Sequence, residues 1–306
     1  MRFRISKYPL EITFFLLKFL ICIVGCLVSV AFFTLLERKV LGIIGLRFGP
    51  FKVSYGGFLQ PLGDAGKLFN KESNYLSNFS LFFYYFSSSI MILCRLVFYL
   101  FLCFDSSLSS FKVRVLIFLI VLGLNRLNSI LCGWSSYRKF SLLGSLRSVS
   151  QLISYEVPFY IIIFIFLFLY SSFDLFLFND SFFFFLFSPF LFFTWFVCVL
   201  AELNRTPYDF SEGERELVRG FNVEFGSLSF TLIFLAEYGR IFFFIIFSRF
   251  FFFSSSILFS IFLFFLVIWI RSVVPRFRFD KLMGLSWKVL VPELGFFLVL
   301  FSLFIF

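Results

Sequence analysis

Long apolar stretches broken by short charged ones set the pattern of this chain. A membrane helix needs about 20 apolar residues to cross the hydrocarbon core. Eight stretches meet that length, roughly residues 12–36, 79–104, 113–134, 153–172, 182–203, 226–248, 251–270 and 288–306. Four longer polar segments lie between them, about 37–78, 135–152, 204–225 and 271–287. The pattern predicts an all-α membrane protein of about eight transmembrane helices, a single integral membrane domain over 1–306. The first stretch is too long and too internal for a cleaved signal peptide. Inside the first polar segment, Leu62, Ala65, Leu68 and Phe69 share one helical face behind Pro61, a residue suited to a first helical turn. That spacing predicts a short amphipathic helix in the membrane interface. On it, Asp64 and Lys67 are three residues apart and spaced to pair.

Composition sharpens the class. Hydrophobic residues make up 61% of the chain and 60 of its 306 residues are Phe, too few polar residues to clothe a soluble core. Runs such as SFFFFLFSPFLFF (181–193) point to a thymine-rich coding sequence, which suits a small organellar genome. Lys and Arg are distributed unevenly. The four polar segments, with Lys288, hold 17 of them, against six on the other side. By the positive-inside rule the long segments face the cytoplasm-like side, the matrix in a mitochondrion, and both termini face the other.

Several chemistries drop out. The chain has no His, which excludes His-held haem, the common zinc sites and His-based triads. Its cysteines (Cys22, Cys26, Cys94, Cys103, Cys132, Cys198) form no CxxC and lie in or beside apolar stretches, as inert buried thiols do. No Walker A motif is present, and GIIGLRFG (42–49) lacks the spacing of a dinucleotide loop. No metal site and no nucleic-acid partner are expected.

The chemistry that remains is carboxylate chemistry. AELNRTPYDFSEGERELVRGFNVEFG (201–226) holds Glu202, Asp209, Glu212, Glu214, Glu216 and Glu224 with Arg205, Arg215 and Arg219, in a chain only 14% charged. Three acids sit in or at the edge of apolar stretches: Glu156, Glu202 and Glu237. Ionisable groups at such depth are expensive unless paired, hydrated or used. Pairing has ready local partners, since Arg205 follows Glu202 and Arg240 follows Glu237 by three residues. A proton relay is the alternative, because a buried carboxylate can carry a proton near neutral pH. Thr206-Pro207 should break the helix that carries Glu202, and irregular backbone at this depth implies a cavity. A short charged helix over about 212–219 should follow. Arg38, Lys39, Arg276 and Arg278 end apolar stretches, where they serve as anchors or line the mouth of a channel.

In order along the chain come LLERKVLG, LRFGP, YGGFLQPLGDAGKLFNKE, GWSS, SLRSVSQLISYE, AELNRTPYDFSEGERELVRGFNVEFG, AEYGRI and WIRSVVPRFRFDKLM. Together, over roughly residues 30–290, they resemble the NADH dehydrogenase subunit 1 family, membrane subunits of respiratory complex I beside its peripheral arm. The resemblance implies a multi-pass subunit in the mitochondrial inner membrane, with the bacterial plasma membrane as the other possible site. It implies that the chain encloses much of a ubiquinone access tunnel, entered between the first span, the amphipathic helix and the sixth span. Ubiquinone would be the substrate, and FMN and iron–sulfur clusters would lie in partner subunits, leaving this chain without a redox centre. Other complex I subunits and lipids would be its partners.

Carried over by motif, the proton relay would include Asp64, Glu156, Glu202, Glu216 and Glu237. Arg38 would line the tunnel near its entrance, with Lys67 and Arg205 near its charged inner part. Asp209, Glu212 and Glu214 would fall in a loop facing the peripheral arm, and Arg276 and Arg278 near the tunnel. The chain departs from the family pattern at Phe48 and Phe51, where polar residues are usual, at Arg215 and Arg219, and in its basic N-terminus. Three other classes compete: the membrane subunit of an energy-converting hydrogenase, an independent ion or proton transporter, and a passive structural anchor. The chain shows no internal repeat of the kind many transporters have.

Overall fold

A computed structural model describes residues 7–72, 80–103, 114–170, 189–210, 220–222, 224–252 and 257–305. Among these residues there is helix and connecting turn, with no strand. The helices are α1 (Lys7–Ile44), α2 (Gln60–Phe69), α3 (Leu81–Cys103), α4 (Arg114–Ser135) and α5 (Lys139–Tyr170), followed by α6 (Pro189–Glu202), α7 (Ser227–Phe252), α8 (Ile257–Val273), α9 (Phe279–Leu285) and α10 (Val291–Ile305). A π turn at Ser286–Leu290 joins α9 to α10, so Phe279–Leu303 reads as one apolar span.

Six spans among the described residues are long and apolar enough to cross a bilayer, and α6 and α8 are shorter apolar helices. At 1.5 Å per residue the 14 described residues of α6 reach about 21 Å. The eight expected apolar stretches are helical wherever they are described, apart from the end residues Ser80, Leu203 and Gly226, but three boundaries differ from the hydropathy pattern. α1 continues through Glu37, Arg38 and Lys39 to Ile44. The segment expected as a loop over 135–152 is almost all helix, because α5 begins at Lys139. Most of the expected polar segment 271–287 is also helical, in the end of α8 and in α9. In α5 the extension buries Ser145, Ser148 and Gln151.

In lipid the helices gain little hydrophobic energy from one another and associate by close packing and hydrogen bonds. α5 packs against α4, α6 and α10, and α7 packs against α3, α1 and α2. Aromatic rings fill the core. Phe98 stacks on Phe243 at 4.4 Å, Phe118 meets Phe247 at 4.4 Å, and Phe159 stacks on Trp195 at 4.6 Å. Serines tolerate this setting because their hydroxyls bond back to carbonyls one turn earlier, as Ser87, Ser148 and Ser248 do. Two glycines are required by geometry. Gly57 has φ +83 and a Cβ there would lie 2.2 Å from the Pro50 oxygen. At Gly144 a Cβ would lie 2.7 Å from the Gly220 Cα, where α5 meets the turn at Gly220–Asn222. As expected, α2 is a short helix started by Pro61, with Leu62 and Phe69 exposed; it packs against both α1 and α7.

Candidate functional site

The centre of the charged interior is Glu37, a residue the sequence reading passed over between Leu36 and Arg38. Helical periodicity puts Val30, Phe33 and Glu37 on one face of α1, and all three are buried. The next residue points elsewhere: Arg38 reaches out to Asp64 on α2, Nη1 to Oδ2 at 2.6 Å. Glu37 receives three donors from three other parts of the chain. Arg205 donates from Nη1 to Oε1 at 2.9 Å, the Tyr238 hydroxyl donates to Oε2 at 2.9 Å, and Arg271 donates to Oε1. The Arg205 guanidinium also lies over the Tyr238 ring, 4.4 Å from its centroid. Burial opposes the charge on Arg205, but Glu37 and Tyr238 beside it hold the guanidinium above its ordinary value. Nearby, burial and the neighbouring Cys198 push the Tyr208 phenol up to about 12, so it stays protonated at physiological pH.

A second group gathers at the end of α6. The helix stops at Glu202, four residues before Thr206-Pro207, and its last carbonyls need new partners. Arg240 of α7 donates from Nη1 to the Glu202 carbonyl at 2.9 Å. Gln151 of α5 donates from Nε2 to the carbonyls of Ala201 (2.9 Å) and Tyr208 (2.7 Å), pinning the broken span on both sides of its break. A cation at a helix C-terminus also favours the helix dipole. One turn before Arg240, the Glu237 carboxylate accepts from Asn222 Nδ2 at 3.1 Å.

The third group lies between α4 and α5. Glu156 pairs with Arg126, Nη1 to Oε2 at 2.7 Å, and accepts from the Tyr160 hydroxyl. Arg126, Glu156, Glu202 and Arg240 line one small cavity together with Arg95 and Asn125. Three groups therefore adjoin: Glu37 and Tyr238 lead to Glu237 and Arg240 along α7, and Arg240 leads to Glu202 and the Glu156 cavity.

The structure brings together Glu156 and Glu202, sets Glu237 one turn from Arg240, and places Asp64 and Arg38 at the outer end of the same α1 segment. It corrects the local pairings. Asp64 is held by Arg38 and Gln60 rather than Lys67, which is exposed. Arg205 serves Glu37 rather than Glu202, and Arg240 donates to the Glu202 backbone. Arg276 lies over the Phe210 ring at 5.0 Å, and exposed Arg278 pairs with exposed Asp280 at 3.1 Å, a contact worth little. Asp209 is half-buried. Glu212, Glu214 and Glu216, with Arg215, Arg219 and the short helix expected there, lie outside the described residues. Sequence reasoning missed Glu37, Arg95, Asn125, Arg126, Tyr238 and Arg271. A signal existed for three of them: Glu37, Arg95 and Arg126 are charges within helices otherwise built for lipid. Among the described residues, no group of three or more His, Cys, Asp and Glu is placed to hold a metal ion.

Comparison with known proteins places these residues in a family. The family model described as NADH dehydrogenase matches residues 17–302. The NADH-ubiquinone oxidoreductase chain 1 of Aedes aegypti is 44% identical over 287 residues, covering 89% of this chain and 90% of its own. The protein of the same name from Locusta migratoria is 43% identical over 293 residues, covering 92% and 93%. That of Rhipicephalus sanguineus is 39% identical over 294 residues, covering 94% of each chain. A match over nearly the whole membrane region, at these identities, makes this chain a member of the NADH dehydrogenase family of multi-pass, all-α membrane proteins.

Proposed function

We propose that this chain, a membrane subunit of an NADH:ubiquinone oxidoreductase of the mitochondrial inner membrane, walls part of the path of ubiquinone and carries the first part of the acidic path coupling its reduction to proton translocation. The observation that carries this reading is the run of ionisable groups through an otherwise apolar bundle. It goes from Asp64 and Arg38 to Glu37, Arg205 and Tyr238, then to Glu237, Arg240, Glu202 and Glu156. Groups at this depth must be paired, and here each paired acid also adjoins the next group. Coupled carboxylates of this kind titrate together, so no single residue owns the proton. A negative charge arriving with quinone reduction would act on the nearest members first.

Two features support the quinone path. α2 packs against α1 and α7, the three elements expected to frame an entrance from lipid. An apolar cleft of about 310 Å³ lies between α1 and α8, lined by Val40, Ile44, Phe262, Phe265, Leu266 and Trp269. Such walls suit an isoprenoid tail. The polar segments between spans would face the matrix and the quinone-reducing partner subunits, whose FMN and iron–sulfur clusters supply the electrons.

The deciding experiment uses Glu202→Gln and Glu237→Gln in the assembled enzyme. Both should lower NADH:ubiquinone turnover while electron flow from NADH to a water-soluble artificial acceptor stays intact. Unchanged quinone turnover in assembled variants would leave the chain as a passive anchor.

A further inference from the structure

Arg95, in the middle of α3, is 2% exposed, and none of its three guanidinium nitrogens has a hydrogen-bond partner. The Phe98 ring lies 5.5 Å from its guanidinium. A guanidinium keeps its charge in proteins and can only donate hydrogen bonds. Arg95 lines the cavity shared by Asn125, Arg126, Glu156, Glu202 and Arg240. Both amide atoms of Asn125 also lack partners, as do the Nε atoms of Arg126 and Arg240. The cavity offers about 10 Å³ to the centre of a water-sized sphere, room for a single water. Apolar cavities of this size stay dry, but one walled by unsatisfied donors and two carboxylates is where buried water belongs.

We propose that one ordered water occupies this cavity, that Arg95 and Asn125 hold it, and that Arg95 is thereby a positioning residue for proton passage between Glu202 and Glu156. The orientation follows from donor chemistry. A water that accepts one hydrogen bond from Arg95 and donates one to the Asn125 amide oxygen keeps a lone pair for the O–H of protonated Glu202 and a second hydrogen for the Glu156 carboxylate, all of them on the cavity wall. In the transfer, the O–H bond of protonated Glu202 breaks and its proton passes to the water oxygen. One original O–H bond of the water breaks in turn, and a carboxyl O–H bond forms on Glu156. One proton moves, the water is regenerated, and no electrons are exchanged. The inference rests on the relay reading of these two acids.

The test has a structural and a kinetic part, both on the intact complex. A density map of the native enzyme fine enough to show ordered water should contain a peak about 3 Å from the Arg95 guanidinium. An empty cavity, a chloride-sized peak or a side chain closing the space would overturn the proposal. In assembled enzyme, Arg95→Met should lower kcat for ubiquinone about tenfold or more with KM unchanged, since a misplaced relay group slows transfer without weakening substrate binding. Arg95→Lys, which keeps a charged donor, should recover a large part. Arg95→Met with normal kcat overturns the proposal. Should Arg95→Met fail to assemble, Asn125→Leu decides: loss of the water peak with normal kcat overturns the role. Glu202→Gln measured alongside separates the two readings. Normal turnover there removes the relay itself, whereas slow Glu202→Gln with normal Arg95→Met removes only the positioning role.

Discussion

Arg205 and Glu37 stand 168 residues apart in the chain, and their side chains meet at 2.9 Å in the interior. The contact ties the segment after the broken span α6 to the first helix, with Tyr238 and Arg271 completing the carboxylate's shell. Removing one member of a buried pair leaves the others charged and unmatched, at a cost of roughly 3–5 kcal/mol. Glu37→Ala should therefore reduce the amount of assembled subunit on a native gel and the temperature at which the solubilised complex dissociates. The double change Glu37→Gln with Arg205→Gln should recover part of both. Wild-type assembly and heat resistance in Glu37→Ala would show that the pair does not hold the segment.

Gly57 and Gly66 make a matched pair of glycines. At Gly57 the added Cβ would meet the Pro50 oxygen at 2.2 Å, at a φ of +83, whereas at Gly66 in α2 nothing lies within 4 Å. Gly57→Ala should cost at least about 1–3 kcal/mol from backbone strain, and Gly66→Ala should gain about 0.5–1 kcal/mol. Limited proteolysis in native membranes would read this as faster cleavage within 45–60 for the first and slower or equal cleavage for the second. Equal protection in both would refute the steric argument.

Tyr84 holds the start of α7. Its hydroxyl accepts from the Gly226 N–H at 3.1 Å and from Ser229 Oγ at 2.7 Å, while its ring stacks on Phe225 at 4.5 Å. Tyr84→Phe keeps the stack and strands the Gly226 N–H, at about 1–3 kcal/mol, while the Ser229 hydroxyl still has the Gly226 carbonyl at 2.8 Å. Hydrogen exchange should speed up at Gly226 and stay unchanged in the middle of α7. A uniform change along α7 would count against this local role.

Gln151 has a comparable task across the break that ends α6, the fifth apolar stretch. Gln151→Leu would leave the carbonyls of Ala201 and Tyr208 with their backbone donors alone, the N–H groups of Asn204 and Phe210, and costs about 0.5–1.5 kcal/mol for each side-chain bond lost. Faster exchange over 203–210, with slower ubiquinone turnover, is the expected result. Unchanged exchange there would mean that Arg240 and the helix end suffice.

The membrane architecture could be read before any coordinates. Every apolar stretch long enough for lipid is helix where it is described, but for single residues at three ends, and the amphipathic pattern behind Pro61 became α2. The errors lay at the ends. Hydropathy stopped α1 near residue 36 and missed most of the polar start of α5, because a scale scores each residue against lipid alone. Glu37 and Gln151 continue their helices because neighbours in the fold satisfy them.

The site was legible as a set of residue types and illegible as a set of contacts. Glu156, Glu202 and Glu237 stood out as carboxylates in apolar surroundings, and spacing assigned Glu202 to Arg205 and Glu237 to Arg240. The fold instead gives Arg205 to Glu37, Asp64 to Arg38 and Glu156 to Arg126. Preference for lipid is a sum over the residues of one segment, so it is written along the chain. An ion pair depends on the distance between side chains from different helices, and that distance exists only once the helices have packed.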